Sequence, residues 1–557
     1  MKNLRSNFDP GSTRWAVRRA QWLAMGIAEE DFLKPKIAVV NSSSALSVCY
    51  QHLDRLSERA QAAIRAAGGL PFEIHTVAPS DFVTSAGLKA RYLMPTRDLL
   101  VNDVEVMVEG SCLDGMLFLS SCDKTTPAHL MAAARLNLPS VCVPCGYQLG
   151  GACGGREVDI EEVYKGVGSV AVGAITLDEL TNWTRCAIQG PGVCAGLATA
   201  NSMHCLAEAL GMALPGTTPI RAGSERLEAV VALAGKTVVE LVGQDRRPRA
   251  ILTPAAFANA VSVAVAIGAS VNTVRHLAAI AAEAEVALDM TRLFEEKARG
   301  LPLVVQVRPN GSHRIEDFDA AGGTRAVMVS LQERLELGAR GVSGRPLGEL
   351  LREAPPADQR VIRPLATPFR PEPGLIILRG NLAPHGAVVK LAAMPADVRE
   401  FEGPARIFED EDQAIAELRQ GSIAAGSVVV LRMMGPLGGP GTVFACSFMA
   451  ALVGAGLSDR VAVVTDGELS GLNRGITIGQ IMPEAARGGP LAVVQDGDRI
   501  RIDLHARRID LQVGEAAIAA RLSAWRPPVR RLRAGWLSLY AQLVQPIEEG
   551  AVLGARR

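Results

Sequence analysis

The chain has 557 residues, of which 48% are hydrophobic and 21% charged, and its 58 basic side chains balance 58 acidic ones. This composition is typical of a globular protein with a sizeable core, and the length allows about three to five domains of ordinary size or fewer large ones. A net formal charge of zero provides no broad positive field to attract nucleic acid or anionic lipid. We therefore expect a small-molecule substrate, with no nucleic acid and no membrane as partners.

The N-terminal segment MKNLRSNFDPGSTRW carries charges from its start and has no continuous apolar run. It predicts neither a secretory signal nor a transit peptide, so we expect a cytoplasmic protein. The longest weakly charged stretch, residues 255–274, is interrupted by polar residues and glycine, which favours a buried helix over a membrane span. Ten cysteines in a chain of this kind would remain reduced, so metal or cluster ligation is a better explanation for them than disulfides.

Two regions of the chain have different patterns of apolar residues. From Lys36 to about Pro215, apolar runs such as IAVVNSS and DGMLFLSSC alternate with Ala-rich helical stretches, which predicts a mostly parallel α/β arrangement. Residues 224–297 repeat apolar positions three and four apart and predict helices that cover one side of the sheet. In the second region, the sequence contains the short β-branched runs GLIIL, GAVVKL, SVVVLRM, VAVVTDG and DRIRIDL. These runs predict a strand-rich, barrel-like domain with a few helices.

A proline-rich segment separates the two regions, and proline removes helical and ladder hydrogen bonds. We therefore predict an α/β fold with an N-terminal α/β domain built on a parallel sheet over residues 1–370. A C-terminal β-barrel-like (swivelling β/α) domain is predicted over residues 371–557, with a last helix near residues 536–544 packing back onto the body. The six prolines of the separating segment are Pro355, Pro356, Pro364, Pro368, Pro371 and Pro373.

Cys122, Asp123 and Lys124 are consecutive between the apolar run GMLFLSS and the helical stretch HLMAAARLN. This pattern predicts a turn after a strand, which is where open α/β sheets bind ligands. A thiolate suits a soft metal and a carboxylate a hard one, so the turn could serve two neighbouring metal centres. The simpler alternative is a buried cysteine beside a surface ion pair.

Two further cysteines, Cys49 in NSSSALSVCYQHL and Cys194 in GPGVCAGLATANSM, also follow Ser- or Gly-rich loops and open predicted helices. Thiolates from three separate loops can hold an iron–sulfur cluster while one iron position stays open for Lewis-acid chemistry on a substrate hydroxyl. A zinc site built from the same cysteines is an alternative. Spacing as long as this does not decide between them.

Several segments together carry a resemblance to a known family: NSSS…CYQHL, AGGLPFE…SDF, SCDKTTPA, GPGVCAGLATANSM, GNLAPHGAVVK, GPLGGPG, TDGELSG and MPEAARGGP. They resemble the dihydroxy-acid dehydratase and phosphogluconate dehydratase family in collinear order over roughly residues 10 to 545, far more than isolated motifs give by chance. The resemblance implies a hydro-lyase that removes water from a 2,3-dihydroxy carboxylic acid to give a 2-keto acid. It also implies an active site in the cleft between the two domains of a homodimer or homotetramer.

The resemblance further implies two cofactors, an iron–sulfur cluster, with [2Fe–2S] preferred to [4Fe–4S], and Mg²⁺. Carbamylation would turn a lysine into a carboxylate-like ligand, whereas an ammonium group would repel Mg²⁺. A serine must be deprotonated by nearby metal or donors before it can act as a base, and without the resemblance a turn or capping role would be the better interpretation. The implied cluster ligands are Cys49, Cys122 and Cys194, the implied magnesium ligands are Asp81, Asp123 and carbamylated Lys124, and the implied base is Ser470.

The sequence departs from the family pattern at three other positions. Relatives have Arg-Tyr-Glu before GPxGGPG, with the Glu binding magnesium, but this chain has Met434 at the Glu position. A thioether is a weak, soft donor and cannot replace a carboxylate on Mg²⁺. Glu468 stands where Arg is usual, and Phe82 where Gly is usual.

These departures leave three alternatives open: water fills the lost ligand position, another carboxylate such as Glu468 approaches, or the family's chemistry has been lost. We interpret them as altered specificity or impaired activity, because a decayed enzyme has no physical reason to keep three oxidisable thiols. A non-catalytic paralogue with a binding or regulatory role is the rival hypothesis. The substrate class, branched-chain dihydroxy acid or sugar acid, stays open.

Other candidate ligands have simpler interpretations. Cys142 and Cys145, with Cys153 in the glycine-rich segment YQLGGACGG nearby, resemble metal-ligand spacing, but packed free thiols and a flexible loop are the favoured interpretation. His52 and His204 are more often structural histidines than ligands.

Overall fold

The computed structural model describes residues 4–80, 83, 91–171, 173–395, 397–439, 446–469, 474–528 and 532–554. Within these residues no helix is both long and apolar enough to cross a membrane.

The N-terminal part is built on a four-stranded parallel sheet in the order β2-β1-β3-β4. Every residue of β1 and β3 is buried, as expected for continuous apolar runs covered on both faces by helices. The parallel α/β arrangement predicted from the alternating segments is therefore confirmed. The strands are β1 (Lys36–Asn41), β2 (Leu70–His75), β3 (Gly115–Ser120) and β4 (Ser140–Pro144).

Helices surround this sheet, and the helix formed by residues 225–244 packs against β3, β4 and the helix that joins β1 to β2. The helical cover predicted for one side of the sheet is thus present. The helices are α1 (Thr13–Ala24), α2 (Leu53–Ala66), α3 (Leu93–Gly110), α4 (Thr125–Leu136), α5 (Ile160–Ala171), α6 (Leu177–Cys186), α7 (Thr199–Ala209), α8 (Glu225–Gln244), α9 (Pro254–Ile267), α10 (Asn272–Glu283), α11 (Met290–Ala298), α12 (Ile315–Ala320), α13 (Gly323–Ser330) and α14 (Leu347–Arg352).

Two local predictions need correction. The single buried helix expected over residues 255–274 is two helices, α9 and α10, because Gly268 takes a left-handed conformation (φ +61°) and ends α9. The flexible loop expected around Cys153 is a hairpin of β5 (Gly151–Cys153) and β6 (Arg156–Val158). Two consecutive glycines with positive φ form its turn, a conformation that glycine adopts without steric cost.

The proline-rich connection forms neither helix nor strand over residues 353–375. This agrees with the loss of backbone donors at proline, while the domain boundary placed there stays a prediction.

The C-terminal part contains an eight-stranded sheet in the order β14-β13-β9-β10-β11-β12-β8-β7, with β9 to β12 parallel. Arg379, just after β7, exchanges backbone hydrogen bonds of 3.0 Å with Arg507 and Ile509, so the two edges of the sheet meet. The predicted barrel-like domain is thus confirmed. Its elements are β7 (Ile376–Leu378), β8 (Gly386–Val389), β9 (Glu400–Phe408), β10 (Val428–Leu431), β11 (Ala462–Thr465), β12 (Thr477–Met482), β13 (Arg499–Asp503), β14 (Arg508–Leu511), α15 (Glu411–Arg419), α16 (Cys446–Gly454), α17 (Glu515–Ala524) and α18 (Trp536–Leu543).

The two parts are docked closely. Gly168 in α5 and Gly454 in α16 touch backbone to backbone, with no room for a side chain on either. The C-terminal chain returns to the N-terminal part, since Trp536 Nε1 donates to Pro95 O at 3.1 Å and Arg97 donates to the carbonyls of Gly550 and Ala551. The predicted return of the last helix is therefore correct.

Candidate active site

The turn after β3 carries the first group of functional side chains. Cys122 has a left-handed backbone (φ +74°), which costs a residue with a side chain about 1 to 2 kcal/mol. Its carbonyl accepts a hydrogen bond from Thr126 Oγ1 at 3.3 Å in the first turn of α4. Strain of this kind is typical of functional sites, where the surrounding structure holds a side chain in a required direction.

Cys49 and Cys122 meet in the buried interior. Their thiols are hydrogen-bonded to each other, and this contact, followed by burial, raises the pKa of Cys122. Ser121 Oγ donates to the Cys49 carbonyl at 2.7 Å and fixes the two loops together. Because metal binding requires thiolates, a metal would release protons from this pair on binding.

The loop of Cys194 lies beside that of Cys49. Gly192 N–H donates to Val48 O at 3.3 Å, and Asn201 Nδ2 donates to Cys194 O at 2.7 Å from the first turn of α7. Cys194 itself is half-buried. These contacts bring together the three loops that carry the predicted cluster ligands.

Charged side chains from both domains meet next to the cysteines. Lys124 Nζ lies 2.7 Å from Asp123 Oδ2 and 3.4 Å from Glu468 Oε2. Lys124 and Glu468 have no exposed surface. The group lies at the carboxyl ends of β3 and β11, which is where parallel strands of α/β proteins present ligand-binding residues.

Glu468 is also paired with Arg275 of α10, a buried cation whose pKa is lowered to about 9 by burial. The next residue, His276, is buried as well. Burial and then the neighbouring cations, Lys124 first, hold its pKa well below the usual range, so the imidazole is neutral at physiological pH. Sequence reasoning missed both residues, although charged and polar side chains within the Ala-rich run NTVRHLAAIAAE were an available signal.

Met434 occupies the turn after β10 and is 2% exposed. Its N–H donates to Asp466 Oδ1 at 2.9 Å, and a Cβ added to Gly467 would lie 2.8 Å from Met434 Cβ. The turns after β10 and β11 are therefore in contact, which makes Met434 and Glu468 near neighbours.

Three of the singled-out residues, Asp81, Phe82 and Ser470, lie outside the described residues. The chain that leads to Asp81 does contact the site, because Pro79 O accepts hydrogen bonds from Tyr50 OH at 2.7 Å and Thr125 Oγ1 at 3.3 Å. The Ser80 side chain is hydrogen-bonded to Cys122.

The side chains given simpler interpretations behave accordingly. Cys142 and Cys145 are buried free thiols, and burial raises the pKa of Cys142 to about 12. His52 Nε2 contacts Cys145 O at 2.8 Å, and burial lowers the pKa of His204 to about 3. Among the residues that the structure describes, Asp54, Glu73 and His75 have ligand atoms within 4.8 Å of one another, but all three are exposed, and the sulfurs of Cys49, Cys122 and Cys194 do not form such a group.

The donor set fits the cofactors that the resemblance implies. Two buried sulfurs in contact, with a third cysteine on an adjacent loop, suit iron, and the carboxylates of Asp123 and Glu468 suit a hard cation such as Mg²⁺. Soft and hard donors stand side by side at the junction of the two domains. This arrangement defines the class of the protein as a mixed α/β protein in which donors suited to a soft metal lie next to donors suited to a hard one.

Comparisons with known proteins identify the family. Residues 34–350 match the family described as dihydroxy-acid/6-phosphogluconate dehydratase N-terminal, and residues 360–551 match the corresponding C-terminal family. The chain is 41% identical to a dihydroxy-acid dehydratase of Methanothrix thermoacetophila, over 99% of this chain and 100% of that one. It is 40% identical to those of Ignicoccus hospitalis (97% and 98%) and Syntrophobacter fumaroxidans (99% and 99%). The chain therefore belongs to the dihydroxy-acid/6-phosphogluconate dehydratase family and is a hydro-lyase.

Proposed function

We propose that this protein dehydrates a 2,3-dihydroxy carboxylic acid to a 2-keto acid. The observation that carries the proposal is the junction of Cys49 and Cys122 with the Asp123–Lys124–Glu468 charges in one buried site. The curated relatives at about 40% identity are named dihydroxy-acid dehydratase, which supports the same reaction class here.

In this proposal Cys49, Cys122 and Cys194 hold a [2Fe–2S] cluster, and Asp81, Asp123 and a carbamylated Lys124 bind Mg²⁺. When bound, these groups supply Lewis acidity to the departing hydroxyl and charge stabilisation to the substrate oxygens. The neutral His276 adds no positive charge beside the buried Arg275, and carbamylation removes the positive charge of Lys124. Full burial of Lys124 and Glu468 excludes water and strengthens the electrostatic interactions around the substrate.

Ser470 is proposed to take the proton from C2. The C2–H electron pair then forms the C2=C3 double bond as the C3–O bond breaks. The hydroxyl leaves as water with one proton, which is balanced by the proton that Ser470 took from C2 and releases at the end of the cycle, and the resulting enol rearranges to the 2-keto acid. A serine needs a lowered pKa for this step, which a divalent cation bound next to it would supply.

The proposal is tested by incubating anaerobically purified protein with two panels of substrates, branched-chain 2,3-dihydroxy acids and sugar acids. Keto acids are then trapped as hydrazones and quantified. We expect turnover within one panel, which would assign the substrate class. Absence of keto acid from both panels, in a preparation that contains its metals, would refute the proposal.

Met434 supports a second candidate, a catalytically impaired paralogue that acts as a binding or regulatory protein. Its buried thioether supplies no charge and no oxygen where relatives have a magnesium-binding carboxylate. This candidate predicts substrate binding without turnover, which calorimetry with the same two panels would detect.

The self-association into a homodimer or homotetramer that we propose would be measured by light scattering.

A further inference from the structure

Glu468 is a buried carboxylate that the implied ligand set does not use. Its side chain has no exposed surface, and Oε2 accepts no hydrogen bond from the described part of the chain. The contact of Oε2 is the 3.4 Å ion pair with Lys124. Because an ionised carboxylate buried without hydrogen bonds is costly, an oxygen in this state is available to a further positive group.

The other oxygen, Oε1, is held by Arg275. A guanidinium on a buried helix fixes the carboxylate in one orientation, since both partners are enclosed and cannot exchange with water. With Oε1 directed at α10, Oε2 is directed at Lys124. Arg275 is therefore a positioning residue for the free oxygen of Glu468.

Asp123 Oδ2 contacts the same amino group, at 2.7 Å from Lys124 Nζ. Two carboxylate oxygens, one from each part of the chain, therefore lie within 3.4 Å of the same atom, and both belong to described residues. Oxygen atoms from carboxylates are the ligands that Mg²⁺ prefers, usually one or two from the protein with water in the remaining positions.

The position of Met434 relative to Glu468 supports a role for the Glu468 carboxylate at the metal site. The turns after β10 and β11 touch through Met434 and Gly467. Glu468 follows Gly467 directly, so it is adjacent to the position at which Met434 replaces a carboxylate. A carboxylate on the neighbouring turn can reach the site that residue 434 borders.

We propose that Glu468 is a ligand of the divalent cation in this protein, where it supplies through Oε2 the oxygen and negative charge that Met434 lacks, with Arg275 as its positioning residue. This rests on the proposed function only for the presence of a cation beside Asp123. The alternative role for Glu468 is that of a purely structural counterion for Arg275.

The test is the Mg²⁺ affinity of the anaerobically purified holoprotein, measured by isothermal titration calorimetry without substrate. Glu468→Gln alone would leave Arg275 without the Glu468 carboxylate and destabilise the fold, whereas Arg275→Met leaves Glu468 its contact with Lys124. The informative variants are therefore Arg275→Met and the double variant Arg275→Met/Glu468→Gln. Replacing both members of a buried ion pair is often neutral for stability. Circular dichroism would verify that both variants are folded.

We expect the double variant to bind Mg²⁺ at least about 10-fold more weakly than Arg275→Met, the loss typical of removing a group that supports a metal. Adding Met434→Glu to the double variant should restore part of the affinity. Glu411→Gln is the matched control, because the Glu411 carboxylate belongs to the same domain and accepts a hydrogen bond from Phe448 N–H at 2.8 Å. The Mg²⁺ affinity of this variant should equal that of the natural protein.

Equal Mg²⁺ affinity in Arg275→Met and the double variant would overturn the proposal and leave Glu468 as a counterion. Absence of Mg²⁺ binding in the natural protein would overturn it as well. Neither result depends on turnover, so a failure of the proposed dehydration would be seen separately, as missing keto acid from a protein that still binds the cation.

Discussion

Met434 places a thioether where the resemblance implies a magnesium-binding carboxylate. The Met434 N–H is bonded to Asp466, and its side chain borders the turn of Glu468. If Glu468 supplies the missing charge, a carboxylate at position 434 adds a third buried negative charge beside those of Asp123 and Glu468. We expect Met434→Glu to lower kcat/KM about 10-fold or more, equivalent to ~1.4 kcal/mol of transition-state stabilisation.

Met434→Gln, which has the shape of Glu without its charge, is the control and should retain most of the activity. Steady-state kinetics on the accepted substrate would compare the three proteins. A rise of activity from zero in Met434→Glu would contradict this expectation and show that the natural protein is catalytically impaired.

Glu484 offers a prediction on pH. Burial first, and then the charge of Asp466, raise its pKa from 4.5 to about 8, so the folded protein holds this proton while the unfolded chain releases it. Stability is therefore lost as pH rises from about 4.5 to about 8, by a few kcal/mol for a shift of this size. Glu484→Gln cannot release a proton and should lose less stability between pH 5 and pH 8.

Urea denaturation at both pH values measures this difference. The comparison uses the change between the two pH values, because Glu484 also accepts hydrogen bonds from the N–H groups of Leu437 and Ile547, which the amide alters at every pH. Parallel losses in the two proteins would show that Glu484 is already ionised in the folded state.

At the residue scale, the sequence predicted the Cys122–Asp123–Lys124 turn because a strand, a turn and a helix in succession leave a local pattern. It did not predict Arg275 or the loss of charge on His276. Those properties depend on contacts with Glu468 and Lys124, whose distance along the chain leaves no periodicity to detect.

At the scale of elements, the break between α9 and α10 fixes how the helices meet the barrel. Gly268 is left-handed, and a Cβ there would lie 2.6 Å from Ala392 Cβ and 2.8 Å from Asn310 Nδ2. We expect Gly268→Ala to destabilise the protein by about 2 to 4 kcal/mol, from the left-handed backbone and from overpacking together. Thermal or urea unfolding measures the loss.

Gly68, at the end of α2, is the matched control, with φ +88° and no atom within 4 Å of an added Cβ. Gly68→Ala should cost only the conformational part, about 1 kcal/mol. Equal losses in the two variants would mean that the contact with Ala392 does not constrain Gly268. The sequence contained Gly268 but predicted a single helix, because an isolated glycine within an apolar helical run is often tolerated.

At the scale of the whole molecule, the sequence patterns of both regions predicted their folds, since alternating apolar runs and short β-branched runs reflect how strands are buried. The docking of the two parts was not predictable at the level of contacts. The Lys124–Glu468 and Gly168–Gly454 contacts join residues far apart in the chain, and only the resemblance indicated a cleft between the domains. The structure adds that the charges in this junction come from both sides.

We propose that Cys49, Cys122 and Cys194, on three loops gathered by the fold, hold iron. The most direct test is the visible absorption spectrum of anaerobically purified protein, together with its iron and acid-labile sulfide content. We predict a coloured protein with about two iron and two sulfide per chain. Serine at any of the three cysteines should remove the colour, and Cys186→Ser, at a half-buried cysteine at the end of α6, should keep it. A colourless protein that contains zinc, or colour that survives all three substitutions, would contradict the claim.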